Sequence, residues 1–191
     1  LLMIVDDIYI ELVYDGFRQE SMASLPGMRE RTILINGFSK SFAMTGFRVG
    51  YVCAPEWLLK NPAKIHQYAI MCASRASQVG AIQALKQGRL DNYRDIETMR
   101  QSYDQRRRLM YKAFTDMGLP CVEPKGAFYM FPSIAATGMD SDTFCERLLK
   151  EQAVVCIPGT AFGACGEGYI RCCYATSVDK MSEAFDRMHA F

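Results

Sequence analysis

The sequence predicts a layered α/β protein in two parts that meet near residue 92, and three observations predict it. Short β-rich runs alternate with segments of helical period along the whole chain. The first run, Leu1-Leu2-Met3-Ile4-Val5, is apolar without interruption, as in a parallel strand covered on both faces. A strongly charged stretch, 93–117, carries Met99, Tyr103, Leu109, Met110, Ala113 and Phe114 at helical spacing, which predicts a long amphipathic helix opening the second part, 93–191.

Taken in order, Asp6 closes the first strand at its C-terminal end, the side on which open α/β sheets place ligands. Tyr14-Asp15-Gly16 and Ser24-Leu25-Pro26-Gly27 read as turns. The β-rich runs 32–36 and 48–54 flank a loop that carries Lys40. Asn61-Pro62 reads as an N-cap with proline at the first helical position, and 77–87 as a helix stopped by Gly88. The long helix is closed by Gly118 and Pro120. Beyond it, 126–131 is an aromatic strand, 142–151 a helix begun at Asp140 or Ser141, and 154–157 and 169–175 are strands. Thr176-Ser177-Val178-Asp179 matches a capping box that opens a last helix to His189. There is no internal repeat and no low-complexity segment.

Half of the 191 residues are hydrophobic, enough for one good-sized core or two modest ones. The 22 basic and 21 acidic side chains nearly cancel, which leaves no basic footprint for nucleic acid. The run Arg106-Arg107-Arg108 reads as a solvated helix face. No apolar run approaches membrane-spanning length, and residues 1–5 are too short and lack the basic leader of a signal peptide. Of the eight cysteines, Cys53, Cys72, Cys145 and Cys156 sit inside apolar patterns, where a free thiol packs as a small hydrophobe. No Cys-x-x-Cys pair occurs and the imidazoles are limited to His66 and His189, so no metal site is expected and a cytoplasmic setting is. The chain opens without Met in what reads as a buried strand. A buried strand needs neighbours, so these residues are expected to be the C-terminal part of a longer protein.

The chemistry centres on Lys40, in Asn36-Gly37-Phe38-Ser39-Lys40-Ser41-Phe42-Ala43-Met44-Thr45-Gly46-Phe47-Arg48-Val49-Gly50. A lysine amine suits Schiff-base formation with an aldehyde when its neighbourhood is apolar and weakly charged, as here. Asp6 would be costly to bury unpaired, and the protonated nitrogen of a pyridine ring is one partner for it. Asp7 should point to the opposite side. Tyr9, three residues beyond Asp6, offers a hydroxyl to a ring oxygen. Arg48 and Arg171 carry the planar fork that suits a phosphate and a carboxylate. Arg171 lies in an apolar strand, where it needs an anion from a ligand or from a structural Asp or Glu. Singly, each residue has an ordinary structural explanation; an aspartate, a tyrosine, a lysine and two arginines in this order fit an enzyme that uses pyridoxal phosphate (PLP).

Asp6-Asp7-Ile8-Tyr9, Ser39-Lys40 through Thr45-Gly46-Phe47-Arg48-Val49-Gly50-Tyr51, Gly126-Ala127-Phe128-Tyr129, Pro158-Gly159 with Phe162-Gly163, and Gly168-Tyr169-Ile170-Arg171 resemble class I aminotransferases of PLP fold type I. The resemblance implies a C-terminal part of the large PLP-binding domain over 1–92, with a mostly parallel sheet and flanking helices. It implies a linking helix and a smaller α/β domain over 93–191. It implies that Lys40 holds PLP as an aldimine and shuttles a proton, that Asp6 meets the pyridine nitrogen and Tyr9 the ring oxygen, that Arg48 binds the phosphate, and that Arg171 binds the substrate carboxylate. Relatives often carry a hydroxyl residue at the place of Gly37, and Ser39 or backbone N–H groups are the expected substitutes. The implied reaction moves an amino group from an amino acid to a 2-oxo acid, usually in a homodimer, and is expected to be incomplete in these residues alone. Two other functions are compatible with the same residues: a C–S lyase working by β-elimination, and a non-catalytic structural or interaction domain.

Overall fold

The apolar run that opens the chain forms β1, Met3–Asp6, in a computed structural model that describes residues 1–191. The chain divides into two compact units, Leu1–Arg100 and Gln101–Phe191.

In the first unit β1 lies parallel to β2, Thr32–Gly37, from Met3 opposite Thr32 to Asp6 opposite Ile35. The next strand, β3 (Gly50–Cys53), returns antiparallel to β2, with Gly37 opposite Gly50. The sheet is therefore mixed and not mostly parallel. The reason is local: a loop without a crossover helix joins β2 to β3, and such a link returns the chain antiparallel. Nor is β1 covered on both faces, for Ile4 is 71% exposed and nothing in the chain pairs with the other edge of β1. Phe38, Met44 and Ala81 are buried together, with Phe42, Val49 and Ala84 packed against them.

Two helices differ from their sequence expectation. Helix α1 spans Glu56–Ile70 and starts at Pro55, not at Asn61, because the Pro55 carbonyl already accepts the Leu58 and Leu59 N–H groups at 3.0 Å each. Pro62 sits inside this helix and costs it one backbone hydrogen bond. Helix α2, Arg75–Asp91, runs through Gly88 and ends on left-handed Asn92. Gly88 is there for packing, since a Cβ on it would lie 2.5 Å from Cε1 of Tyr93. Helix α3, Arg94–Asp116, is followed by Gly118 at φ 72°, the left-handed stop expected there.

The second unit holds a three-stranded sheet in the order β4 (Tyr129–Met130), β6 (Ile170–Cys173), β5 (Ile157–Pro158), antiparallel throughout. The strands are shorter than the expected β-rich runs, and β5 is shifted to the end of its run and includes Pro158. Helices α4 (Ser141–Gln152) and α5 (Val178–Ala190) complete the unit. Phe114, Met130, Ile134, Leu148, Ile170, Tyr174 and Met181 are buried to 2% exposure or less and form its core. Arg107 is also fully buried, against the expectation of a solvated Arg106–Arg108 face. Its guanidinium is neutralised by Asp104 at 2.7 Å and Glu123 at 2.8 Å, and donates to the Pro124 carbonyl at 3.0 Å. The cysteine expectation holds in part: Cys145 and Cys156 are buried, but Cys53 and Cys72 are exposed. No helix is long and apolar enough to cross a membrane.

The N-terminal caps of α4 and α5 are made by side chains. Ser177, one residue after the Thr176 expected to lead the capping box, accepts the Lys180 N–H at 3.4 Å. Asp140 accepts the Thr143 N–H at 2.7 Å and its hydroxyl at 2.8 Å, and these bonds hold its carboxyl below the usual carboxylate range. A lowered folded-state pKa gives stability above the unfolded value that is lost as pH falls through the folded one. Asp140→Ala should therefore lower the melting temperature of the protein at neutral pH. The gap from the parent protein should close as the pH is taken down through the carboxylate range, which parallel thermal melts would read.

Candidate active site

Because β1 and β2 are parallel, their C-terminal ends open on the same edge of the sheet, and the residues just past them are placed together. Asp6 ends β1 with an exposed carboxylate that accepts the Ile8 N–H at 3.1 Å. Its neighbour Asp7 faces the other way and is buried. One Asp7 oxygen accepts from Gln19 Nε2 at 2.8 Å, and the other is buried without a hydrogen-bond partner. Tyr9 follows in the turn after β1, and the Lys40 amine lies 5.8 Å from the centre of its ring.

Lys40 stands three residues beyond β2, in a tight turn. The Phe38 carbonyl accepts the Phe42 and Met44 N–H groups at 3.3 and 3.1 Å, and the Lys40 carbonyl accepts the Ala43 N–H at 3.2 Å. The base of the loop is closed where the Phe38 N–H reaches the Val49 carbonyl at 3.4 Å. One step below, a Cβ on Gly50 would lie 2.9 Å from the Asn36 carbonyl oxygen, so the two strands approach as only glycine allows. Arg48 is in the left-handed region at φ 50° and Ala43 at φ 52°, conformations costly for residues with a Cβ. The exposed Arg48 guanidinium donates to the Thr45 carbonyl at 2.9 Å.

Arg171 belongs to the second unit. It sits on β6 with its guanidinium 4.5 Å from the Tyr129 ring centre and 4.6 Å from that of Phe162. The ion pair with a structural Asp or Glu, one of the two possibilities open in the sequence, is not formed; two aromatic faces hold the cation instead. That clamp was only half legible. Gly126–Tyr129 and Phe162-Gly163 stand out as motifs, and the signal for their meeting is the antiparallel register that brings β4 and β5 to either side of β6. The Asp7–Gln19 bond, across a loop, left no mark in the sequence.

These features set the Lys40 amine near the Tyr9 ring, on the sheet edge where β1 also ends in the exposed Asp6 carboxylate. The chain belongs to the family Aminotransferase class I and II, whose profile matches residues 1–188. It is 49% identical over 191 residues to the putative aminotransferase YugH of Bacillus subtilis, covering all of this chain and 48% of that protein. It is 48% identical over 188 residues to aromatic-amino-acid aminotransferase 2 of Thermococcus litoralis, covering 98% of this chain and 48% of that one. Among solved structures, the aromatic aminotransferase from Pyrococcus horikoshii matches all of this chain and 50% of its own with a TM-score of 0.95 at 48% identity. The chain thus spans about half the length of the curated relatives it matches. The comparisons give no support to the expected C-terminal placement within a longer enzyme.

Proposed function

We propose that the protein transfers an amino group from an amino acid to a 2-oxo acid, with PLP held at Lys40. The observation that carries this reading is the Lys40 amine beside Tyr9 on the sheet edge that Asp6 also occupies. The donor set fits the cofactor: an amine for its aldehyde, an exposed carboxylate for its ring nitrogen, a phenol for its ring oxygen, and an exposed guanidinium for its phosphate. When bound, PLP supplies an electron sink that weakens the bonds at the substrate Cα.

The chain's own residues do the rest. Lys40 Nζ would hold the cofactor's aldehyde, and its amine is also the group that would take the substrate Cα proton. The Asp6 carboxylate stabilises the positive charge of the ring nitrogen, and the Tyr9 hydroxyl fixes the ring's orientation. Arg48, with Ser39 and the loop N–H groups, anchors the phosphate. Arg171, held by the Tyr129 and Phe162 rings, offers its fork to a substrate α-carboxylate. In this reading residues 1–92 belong to the larger cofactor-binding domain and 93–191 to the linking helix and smaller domain. A homodimer and a cytoplasmic setting complete the proposal.

The test supplies PLP and 2-oxoglutarate with L-aspartate, alanine or an aromatic amino acid, and in parallel offers cystathionine alone. Glutamate should form with one of the donors, and Lys40→Ala should cut the rate by about 10²–10⁴-fold or more. Pyruvate and ammonia from cystathionine, with no glutamate from any donor, would make the protein a β-eliminating lyase. Product in neither assay would count against catalysis by this chain.

A further inference from the structure

Away from the proposed site, in the second unit, the Cys156 and Cys172 sulfurs lie 3.5 Å apart, both side chains being buried. Their approach follows from the sheet. Ile157 pairs with Arg171 and Pro158 with Ile170, so one further step of the antiparallel register sets Cys156 opposite Cys172. The Gly159 N–H donates to the Tyr169 carbonyl at 2.8 Å, which makes 159 and 169 a hydrogen-bonded pair. Such pairs alternate along a ladder, so 157 with 171 is hydrogen-bonded and 156 with 172 is not. At non-hydrogen-bonded positions opposed Cα atoms are about 4.5 Å apart and the side chains are at their closest. That spacing lies within the range a disulfide bridges.

We propose that Cys156 and Cys172 are a site of covalent oxidation, closing to an intramolecular disulfide when a peroxide reaches them. A cavity of about 400 Å³, lined among others by Val155, Cys156, Cys172, Lys180 and Met181, gives a small oxidant its route. The two thiols are not equivalent. The contact between the two sulfurs, in which either can donate, pulls the Cys156 thiol down against its burial, and the same contact together with full burial pushes Cys172 up. Cys156 is therefore the attacking sulfur. It displaces water from hydrogen peroxide as the O–O bond breaks and becomes a sulfenic acid, its sulfur giving up two electrons to the peroxide. Cys172 then attacks that sulfur, the S–S bond forms, the S–OH bond breaks, and a second water leaves with the Cys172 proton. The neighbouring Cys145 does not compete with Cys156 for the peroxide, because burial pushes its thiol up to about 12. Nor do three His, Cys, Asp or Glu side chains converge here as a metal site would need. Side chains alternate along a strand, so the bond would form on the face of β6 opposite to Arg171.

The test uses the 191-residue chain, fully reduced, treated with hydrogen peroxide, unfolded, alkylated and mapped by mass spectrometry. The expected result is loss of two hydrogens from the intact mass, protection of two of the eight thiols, and a Cys156–Cys172 cross-linked peptide that dithiothreitol releases. Cys145→Ser should still form the link, and Cys156→Ser should leave Cys172 open to alkylation. Full alkylation of both thiols after peroxide, a link from Cys172 to Cys145 or Cys121, or a sulfinic acid at Cys156 without the link would overturn the proposal. The map of the unsubstituted chain decides alone if a variant fails to fold.

Discussion

Gly159→Ala and Gly166→Ala are each expected to destabilise the second unit by about 4 kcal/mol or more, the range reached when a fold has no way to absorb a change. The two residues pack backbone on backbone. A Cβ on Gly159 would overlap the Gly166 carbonyl oxygen and lie 2.8 Å from the Tyr169 carbonyl oxygen. A Cβ on Gly166 would overlap the Gly159 carbonyl oxygen in turn and lie 3.1 Å from its Cα. No flexible side chain is there to move aside, and any shift of Gly159 breaks its N–H bond to Tyr169 in the ladder between β5 and β6. The entropy an alanine saves in the unfolded chain, about 1 kcal/mol at most, is too small to compensate. Urea unfolding followed by circular dichroism would read the effect. Gly46→Ala is the control, since a Cβ at that position meets nothing within 4 Å and its midpoint should not fall. An unchanged midpoint for Gly159→Ala would refute the packing described here.

The second large effect is expected at Arg107. Its side chain is fully buried and its charge is balanced by Asp104 and Glu123, so Arg107→Met removes the cation and leaves two carboxylates facing an apolar wall. Breaking a buried pair from one side costs about 3–5 kcal/mol. Asp104 and Glu123 retain 21% and 38% side-chain exposure, so water relieves part of the penalty and the lower end, about 3 kcal/mol, is the expectation here. Arg108 also meets Asp104, at 3.2 Å, but is 61% exposed. Pairs of that kind are worth about 0–1 kcal/mol, and Arg108→Met should be close to neutral. Equal losses at the two positions would contradict the burial that separates them.

This contrast also shows where the sequence stops being readable. Three arginines in a row carry the same local signal, and which of them turns inward depends on Glu123 and Pro124, contributed from beyond the end of α3. Helix ends set by local chemistry were legible: Asp140 caps α4, Gly118 stops the chain after α3, and a hydroxyl near Thr176 starts α5. The starts and stops of α1 and α2 were misplaced because Pro62 and Gly88 carry the usual boundary signals yet sit inside helices. Gly88 serves the Tyr93 ring, and Pro55 had already begun α1. Throughout the second unit the paired strands are shorter than the β-rich runs, since β-rich composition marks a pleated, half-buried surface and not the extent of pairing.

The site divides in the same way. That Asp6 and Lys40 follow β1 and β2 onto one edge of the sheet follows from strand direction alone. The left-handed turn at Arg48 and the aromatic clamp on Arg171 depend on partners across a ladder, which spacing along one strand does not reveal.

The central claim is that Lys40 is the amine built to hold PLP. Incubation of the chain with PLP, reduction with borohydride and peptide mapping test it most directly. The account predicts one dominant phosphopyridoxyl label, on Lys40, that disappears in Lys40→Ala while the variant remains folded. A label spread over exposed lysines such as Lys60 and Lys64, with Lys40 unmodified, would contradict it.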